Sequence, residues 1–177
     1  MKATFFTVDT PDGPFSVITA ADNPESTEQA VVISAGWTES RADLAAQIHP
    51  TLRPTTIVDS APDADIAATV ADYYAGDFYT IGTIAVQQKS GPFRSHAWEI
   101  LRQIPAGEPV TYRQYAELAG NPQAARAAAS ACANNAVALF VPCHRIVRTD
   151  GTLGGFRWGV AVKRSLLARE AAQTSAS

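Results

Sequence analysis

Residues 111–133 read TYRQYAELAGNPQAARAAASACA, and the fold of the C-terminal half turns on them. Thr111 has the hydroxyl of an N-cap, and the apolar spacing behind it predicts a helix over Tyr112–Ala119. Gly120-Asn121-Pro122 makes a tight turn, and a second helix is predicted over Gln123–Cys132. Two helices on a Gly-containing turn of this length predict a helix-turn-helix, although an ordinary packed αα-hairpin has the same spacing. The second helix is nearly all small residues, with Arg126 its only charge. Such a surface suits close approach to a shaped partner such as a DNA groove, and equally suits tight packing in a crowded core.

Upstream, Phe93–Arg102 places Phe93, Ala97, Ile100 and Leu101 on one helical face before IPAGEP breaks the pattern. Ile81–Gln87 reads as a short strand and KSGP as a linker. Further back, residues 3–8 and 15–19 are β-prone runs around TPDGP, which predicts a hairpin, and Ala30–Ala35 is expected to join the same sheet. Ser40–Gln47 and Asp65–Tyr74 carry helical spacing. A cut after Gln88 therefore gives two domains, an α/β scaffold over residues 1–88 and a mostly helical domain over residues 89–177.

Charge divides at the same place. Residues 1–88 hold 3 basic and 12 acidic side chains, net −9, whereas residues 89–177 hold 11 and 5, net +6. A basic half can neutralise phosphates and an acidic half is repelled by them; chance segregation of solvated charge is the bland alternative. The N-terminus lacks the pattern of a secretory signal and no apolar stretch approaches the ~20 residues that cross a bilayer, so the expected home is the cytoplasm. Two cysteines are too few for a disulfide framework, and a reducing compartment keeps both as thiols.

Downstream of the two helices, the β-prone run ALFV ends at Pro142, and Cys143, His144 and Arg145 follow at once. A thiol of pKa ~8.5 needs a neighbouring positive charge or general base to become a nucleophile, and Cys143 has candidates for both. A buried inert cysteine is the competing reading. Metal binding accounts for the pattern poorly: there is no C-x-x-C pair, the other histidines are His49 and His96, and Cys132 lies in a helix.

Taken in order, GEPVTY, LAGNPQAAR, an Asn eight residues before the Cys, VPCHRIV, GTLGGF and KRSLLARE resemble the O6-alkylguanine-DNA alkyltransferases, or methylated-DNA-protein-cysteine methyltransferases, from about Phe93 to Glu170. The resemblance implies an α/β fold class: a small, three-stranded RNase H-like α/β N-terminal domain, and a mostly helical C-terminal domain with a winged helix-turn-helix-like DNA-binding motif. It implies DNA repair by direct reversal, with the alkyl group of O6-alkylguanine in duplex DNA, and less efficiently of O4-methylthymine, moved irreversibly to Cys143. One molecule repairs one lesion.

The same resemblance implies the roles. Cys143 is the acceptor, His144 draws its proton through a water, and Glu170 orients and charges that His. Asn135 is the hinge residue tying the helix-turn-helix to the active-site strand, Tyr112 donates a proton to the guanine ring, and Lys163 helps the polarisation. Backbone groups of Cys143 and Ile146 accept from the exocyclic amine. The Gly154–Gly159 loop, with Phe156 stacking and Arg157 and Trp158 beside it, closes the pocket. Arg126 fills the gap left by an extruded base, and its helix, with Ala125 and Ala127, enters the minor groove. No cofactor and no metal are implied, the partner is double-stranded DNA without a membrane, and the protein is a monomer whose clustering on DNA is left open.

Some positions depart from the family pattern. Ala136 stands where a Pro is usual, AAAS follows Arg126 where Val-Gly is common, and Trp158 replaces a small Gly, a bulk shared by the transferase part of the Ada adaptive-response protein. Trp158 at the rim predicts poor reaction with O6-benzylguanine. The principal rival is an alkyltransferase-like protein that binds lesions without transfer, but those relatives replace the nucleophilic Cys. A cysteine hydrolase and a DNA-binding regulator with a structural Cys are the others.

Overall fold

The computed structural model describes residues 1–21 and 29–175. They form two units, Met1–Lys89 with Ala136–Phe140, and Ser90–Asn135 with Val141–Ser177. A single cut after Gln88 is thus corrected: residues 136–140 belong to the first unit. The reason is backbone pairing that no local pattern reveals. The Ala35 amide donates to Ala136 O (2.9 Å), the Ala138 amide to Ala35 O (3.2 Å), and the Gln88 side-chain oxygen accepts from the Ala136 amide (2.8 Å).

In the first unit, β1 (Lys2–Thr10) and β2 (Gly13–Ala21) form the expected hairpin. Gly13 takes a φ of +106°, which a side chain would resist, and the Thr10 hydroxyl closes the turn by donating to Gly13 O and accepting from the Asp12 amide. β3 (Val31–Gly36) adds antiparallel to β2, and β4 (Thr56–Asp59) adds parallel to β1, giving the order β3-β2-β1-β4. The expected three-stranded sheet is corrected to four. Helices α1 (Arg41–Gln47) and α2 (Ala64–Ala75) are capped by Ser40 and Asp63. Arg41 holds the new edge: its guanidinium lies over Phe5, donates to Ile57 O and pairs with Asp59.

The core of this unit gathers Phe15, Val17, Val32, Leu44, Val70 and Tyr73, and Phe15 meets the edges of Trp37 and Phe140. Residues 81–87 are not the strand expected of them. Thr80–Thr83 form a 3-10 turn, and one parallel bridge, Val32 to Val86, is the remaining β pairing.

The second unit opens with α3 (Pro92–Leu101), whose Pro suits the first turn where no intrahelical N–H is needed. α4 (Tyr112–Leu118) carries a full capping box between Thr111 and Gln114. The left-handed Gly120 makes the turn, and α5 (Ala125–Ala133) follows. α5 starts two residues later than the spacing predicts because Asn121 accepts from the Gln123 amide and holds 121–124 as a turn. Ala128 and Ala131 are fully buried, so part of the small-residue surface serves packing, and the Trp98 indole donates to Ala131 O (2.8 Å); the Tyr115 hydroxyl likewise ties α4 to α3 through Ala97 O (2.6 Å). α6 (Val160–Ser175) ends the unit, and β5 (Val110–Thr111) pairs in parallel with β6 (Ile146–Val147). No helix among the described residues is long and apolar enough to cross a membrane.

Candidate active site

The run ALFV is not a strand. Residues 138–140 turn, with Leu139 at φ +70°, and Cys143–Arg145 form a 3-10 turn leading into β6. The Val141 carbonyl organises this bend. It accepts from the Cys143 amide (2.8 Å) and from Asn135 Nδ2 (2.8 Å), so the side chain at 135 ties the end of the α5 segment to the backbone that presents the thiol. Arg145 N–H then donates to Pro142 O (3.1 Å).

Helical spacing delivers the rest. Lys163, Leu166 and Glu170 share one stripe of α6, and all three are buried, Glu170 to 0% exposure. Glu170 Oε1 lies 2.8 Å from His144 Nε2. Arg145 grips the same carboxylate from Nε (3.2 and 3.1 Å) and Nη2 (2.9 Å), and its Nη1 donates to Ile104 O (2.7 Å). Lys163 Nζ donates to Ile146 O (2.6 Å). Every buried charge in this group thus has a partner, which is the condition for burying it.

The electrostatics follow. Burial alone would raise the Glu170 carboxyl, but His144 and Arg145 reverse that and hold it at about 2. His144 is moved down, because burial outweighs the pull of Glu170, and Arg145 and Lys163 add to the effect. An ionised Glu170 accepts from Nε2–H, so a neutral His144 keeps its proton there and leaves Nδ1 as a base. Burial pushes the Cys143 thiol up, against hydrogen bonding from Asn135, the Lys163 charge and a backbone amide. The resting sulfur is therefore a thiol, and a thiol has to lose its proton before it can act as a nucleophile.

Tyr112 stands half-buried at the start of α4. Burial and the charges that Cys132 and Cys143 would carry push its phenol up to about 12, and Arg148 pulls it down. Gly154, at φ +76°, leaves room for this ring: a Cβ there would sit 3.0 Å from Tyr112 Oη.

The expected residues thus separate into two sets. Cys143, His144, Glu170, Asn135, Tyr112, Lys163 and Ile146 come together. Arg126 and Ala127 are exposed on α5 with Ala125 half-buried, Arg157 is exposed, and Phe156 and Trp158 are half-buried in the loop before α6. Among the described residues no hydrogen bond joins Arg126 to the Cys143 group. The sequence offers Arg145 only as a charge beside the thiol; its partner Glu170 lies 25 residues away, and no local pattern reveals the pair. Cys132 also belongs electrostatically to the site. No cluster of three or more metal-binding side chains occurs among the described residues.

Residues 92–172 match the family described as 6-O-methylguanine DNA methyltransferase, DNA binding domain. The chain is 52% identical over 89 residues to the bifunctional transcriptional activator/DNA repair enzyme Ada of Escherichia coli, covering 50% of this chain and 25% of that protein. It is 37% identical over 113 residues to a methylated-DNA–protein-cysteine methyltransferase of Salmonella typhimurium, covering 64% of this chain and 66% of the other. The crystal structure of Mycobacterium tuberculosis OGT in complex with DNA superposes with a TM-score of 0.73 at 26% identity, over 96% of this chain and 94% of that one. The chain spans a quarter of the length of Ada and about two thirds of the Salmonella protein. Motifs, fold and site geometry agree with these likenesses, and the chain belongs to the O6-methylguanine-DNA methyltransferase family.

Proposed function

We propose that this chain repairs DNA by taking the alkyl group, chiefly methyl, from O6-alkylguanine onto the sulfur of Cys143, once per molecule. O4-methylthymine is the slower substrate. The observation that carries the reading is the buried dyad of a neutral His144 and an ionised Glu170, next in sequence to a thiol that cannot ionise unaided. His144 takes the thiol proton, with Glu170 stabilising the imidazolium that forms. The sulfur attacks the alkyl carbon, the S–C bond forms as the C–O6 bond breaks, and the electron pair stays on the purine. Tyr112 supplies the proton that neutralises the ring, and the Cys143 and Ile146 carbonyls accept from the exocyclic amine. Guanine and an S-alkylcysteine result, with no cofactor in the balance.

O6 lies inside a base pair, so the nucleotide leaves the stack first. Arg126, the one charge on α5, fills the gap while Ala125 and Ala127 let the helix lie in the minor groove; their exposed and half-exposed positions support this. Phe156, Arg157 and Trp158 border the extruded base. The net +6 of residues 89–177 and the DNA-bound mycobacterial structure support duplex DNA as partner. Two free thiols suit the cytoplasm, and the protein acts as a monomer whose second unit, Ser90–Asn135 with Val141–Ser177, is the DNA-binding one.

Incubation with duplex carrying radiolabelled O6-methylguanine tests the reading. Label moves to protein at one equivalent and is lost with Cys143→Ser. Binding without label favours a lesion-recognition protein, and turnover beyond one equivalent favours a hydrolase.

A further inference from the structure

One charged side chain at this site has no role in the chemistry above. Arg148 directly follows β6, and Tyr112 directly follows β5. The two strands are parallel with Val110 opposite Ile146 and Thr111 opposite Val147, so Tyr112, which opens α4, and Arg148 each immediately follow one member of a paired couple. The backbone of Arg148 is fixed: its amide donates to Thr152 O (2.9 Å) and its carbonyl accepts from Gly151 (3.0 Å). The Asp150 carboxylate is occupied by the Thr152 amide and hydroxyl. This same turn leads to Gly154, which lies against Tyr112 Oη. The guanidinium is exposed and, among the described residues, enters no salt bridge.

We propose that Arg148 is a positioning residue for alkyl transfer, holding a permanent positive charge beside Tyr112 that stabilises the phenolate formed as Tyr112 gives its proton to the purine. The inference rests on the reading of Tyr112 as proton donor. The other titratable groups facing Tyr112 are Cys132 from α5 and Cys143 from the 3-10 turn, both of which oppose negative charge there when ionised. A phenol raised to about 12 is a reluctant acid, and Arg148 is the cation in that set.

The test uses the full chain and its R148A, R148Q and R148K variants at saturating methylated duplex. Single-turnover transfer is measured from pH 6 to 10, and Tyr112 is titrated by NMR of the ring carbon bearing oxygen. R148A and R148Q are expected to accept one methyl per molecule, about three- to tenfold more slowly, with Tyr112 titrating at higher pH. R148K restores most of the rate. R148Q keeps the side-chain length and decides the matter if R148A misfolds. An unchanged rate constant, an unchanged Tyr112 titration, or a defect confined to DNA affinity overturns the proposal. Failure of the parent protein to take label sinks the transfer reading instead, while the Tyr112 titration still reports on Arg148.

Discussion

Glu170 Oε1 sits 2.8 Å from His144 Nε2, with neither side chain open to solvent. The same carboxylate is forked by Arg145. One carboxylate therefore holds the imidazole and neutralises a buried cation. Glu170→Gln is expected to damage both jobs. It leaves Arg145 without its counter-ion, which costs roughly 3–5 kcal/mol for a broken buried pair, and it slows methyl transfer at least 100-fold by weakening the base. Urea unfolding and single-turnover labelling read the two effects separately. A variant that lost stability but kept its rate would show that Glu170 serves Arg145 alone.

Stability should fall on the acid side in two stages. His144 binds its proton more weakly when folded than the ordinary ~6.5 of an unfolded chain. Below that pH the unfolded state holds more protons, so the contribution present above ~6.5 is lost as pH falls. Glu170, depressed to about 2, adds a second loss that starts near the ordinary carboxylate value and runs down to about pH 2. Denaturation midpoints from pH 8 to 3 test this, and His144→Gln should abolish the first stage. A midpoint that rose between pH 7 and 5 would contradict the sign.

Gly154→Ala puts a methyl 3.0 Å from Tyr112 Oη at a φ that L residues rarely adopt. The backbone term alone costs on the order of 1 kcal/mol, and displacement of Tyr112 is expected to slow transfer about tenfold. Gly155→Ala, where an added Cβ meets nothing within 4 Å, is the control. Equal rates for the two variants would separate Gly154 from the position of Tyr112.

The sequence is most legible where the physics is local. Thr111 as N-cap and the Gly120 turn follow from short-range geometry, and the structure contains both. The errors are non-local. ALFV has strand composition, yet it turns through Leu139 because Ala136–Phe140 pairs with Ala35 about a hundred residues earlier. Thr56–Asp59 is short and largely exposed, so alternation is hidden, and it becomes a strand through β1 and the Arg41 clamp. The bond from Arg145 to Glu170 is likewise a tertiary fact. Cys143, His144 and Glu170 were readable together only through the family resemblance.

Trp158 is half-buried in the loop before α6. Trp158→Gly is expected to raise the rate with O6-benzylguanine at least tenfold while changing the rate with O6-methylguanine in duplex DNA by less than threefold, since only the larger transferred group needs the cleared volume. Competition between the two substrates, followed by loss of free thiol at Cys143, gives the ratio directly. A parent protein that already reacts equally with both would place Trp158 away from the entrance.

Reaction at Cys143 should loosen the second unit. The residue is 9% exposed, and its amide shares the Val141 carbonyl with Asn135. A methyl adds volume to a sulfur on a residue that is already buried, and overpacking of this kind costs roughly 1–3 kcal/mol. For a chain of this length that is a fall of about 2–4 °C in Tm per kcal/mol. The strain is also directional: if the sulfur moves, the 3-10 turn moves, and the Asn135 to Val141 bond that ties it to the end of α5 is the first to lengthen. Asn135→Ala removes that tie in advance, so its own Tm is lower but the further fall on methylation is smaller. Calorimetry on both proteins before and after one equivalent of methylated duplex, with DNA removed, measures the difference. Equal falls in the two would show that the thioether is absorbed without reaching the Asn135 hinge.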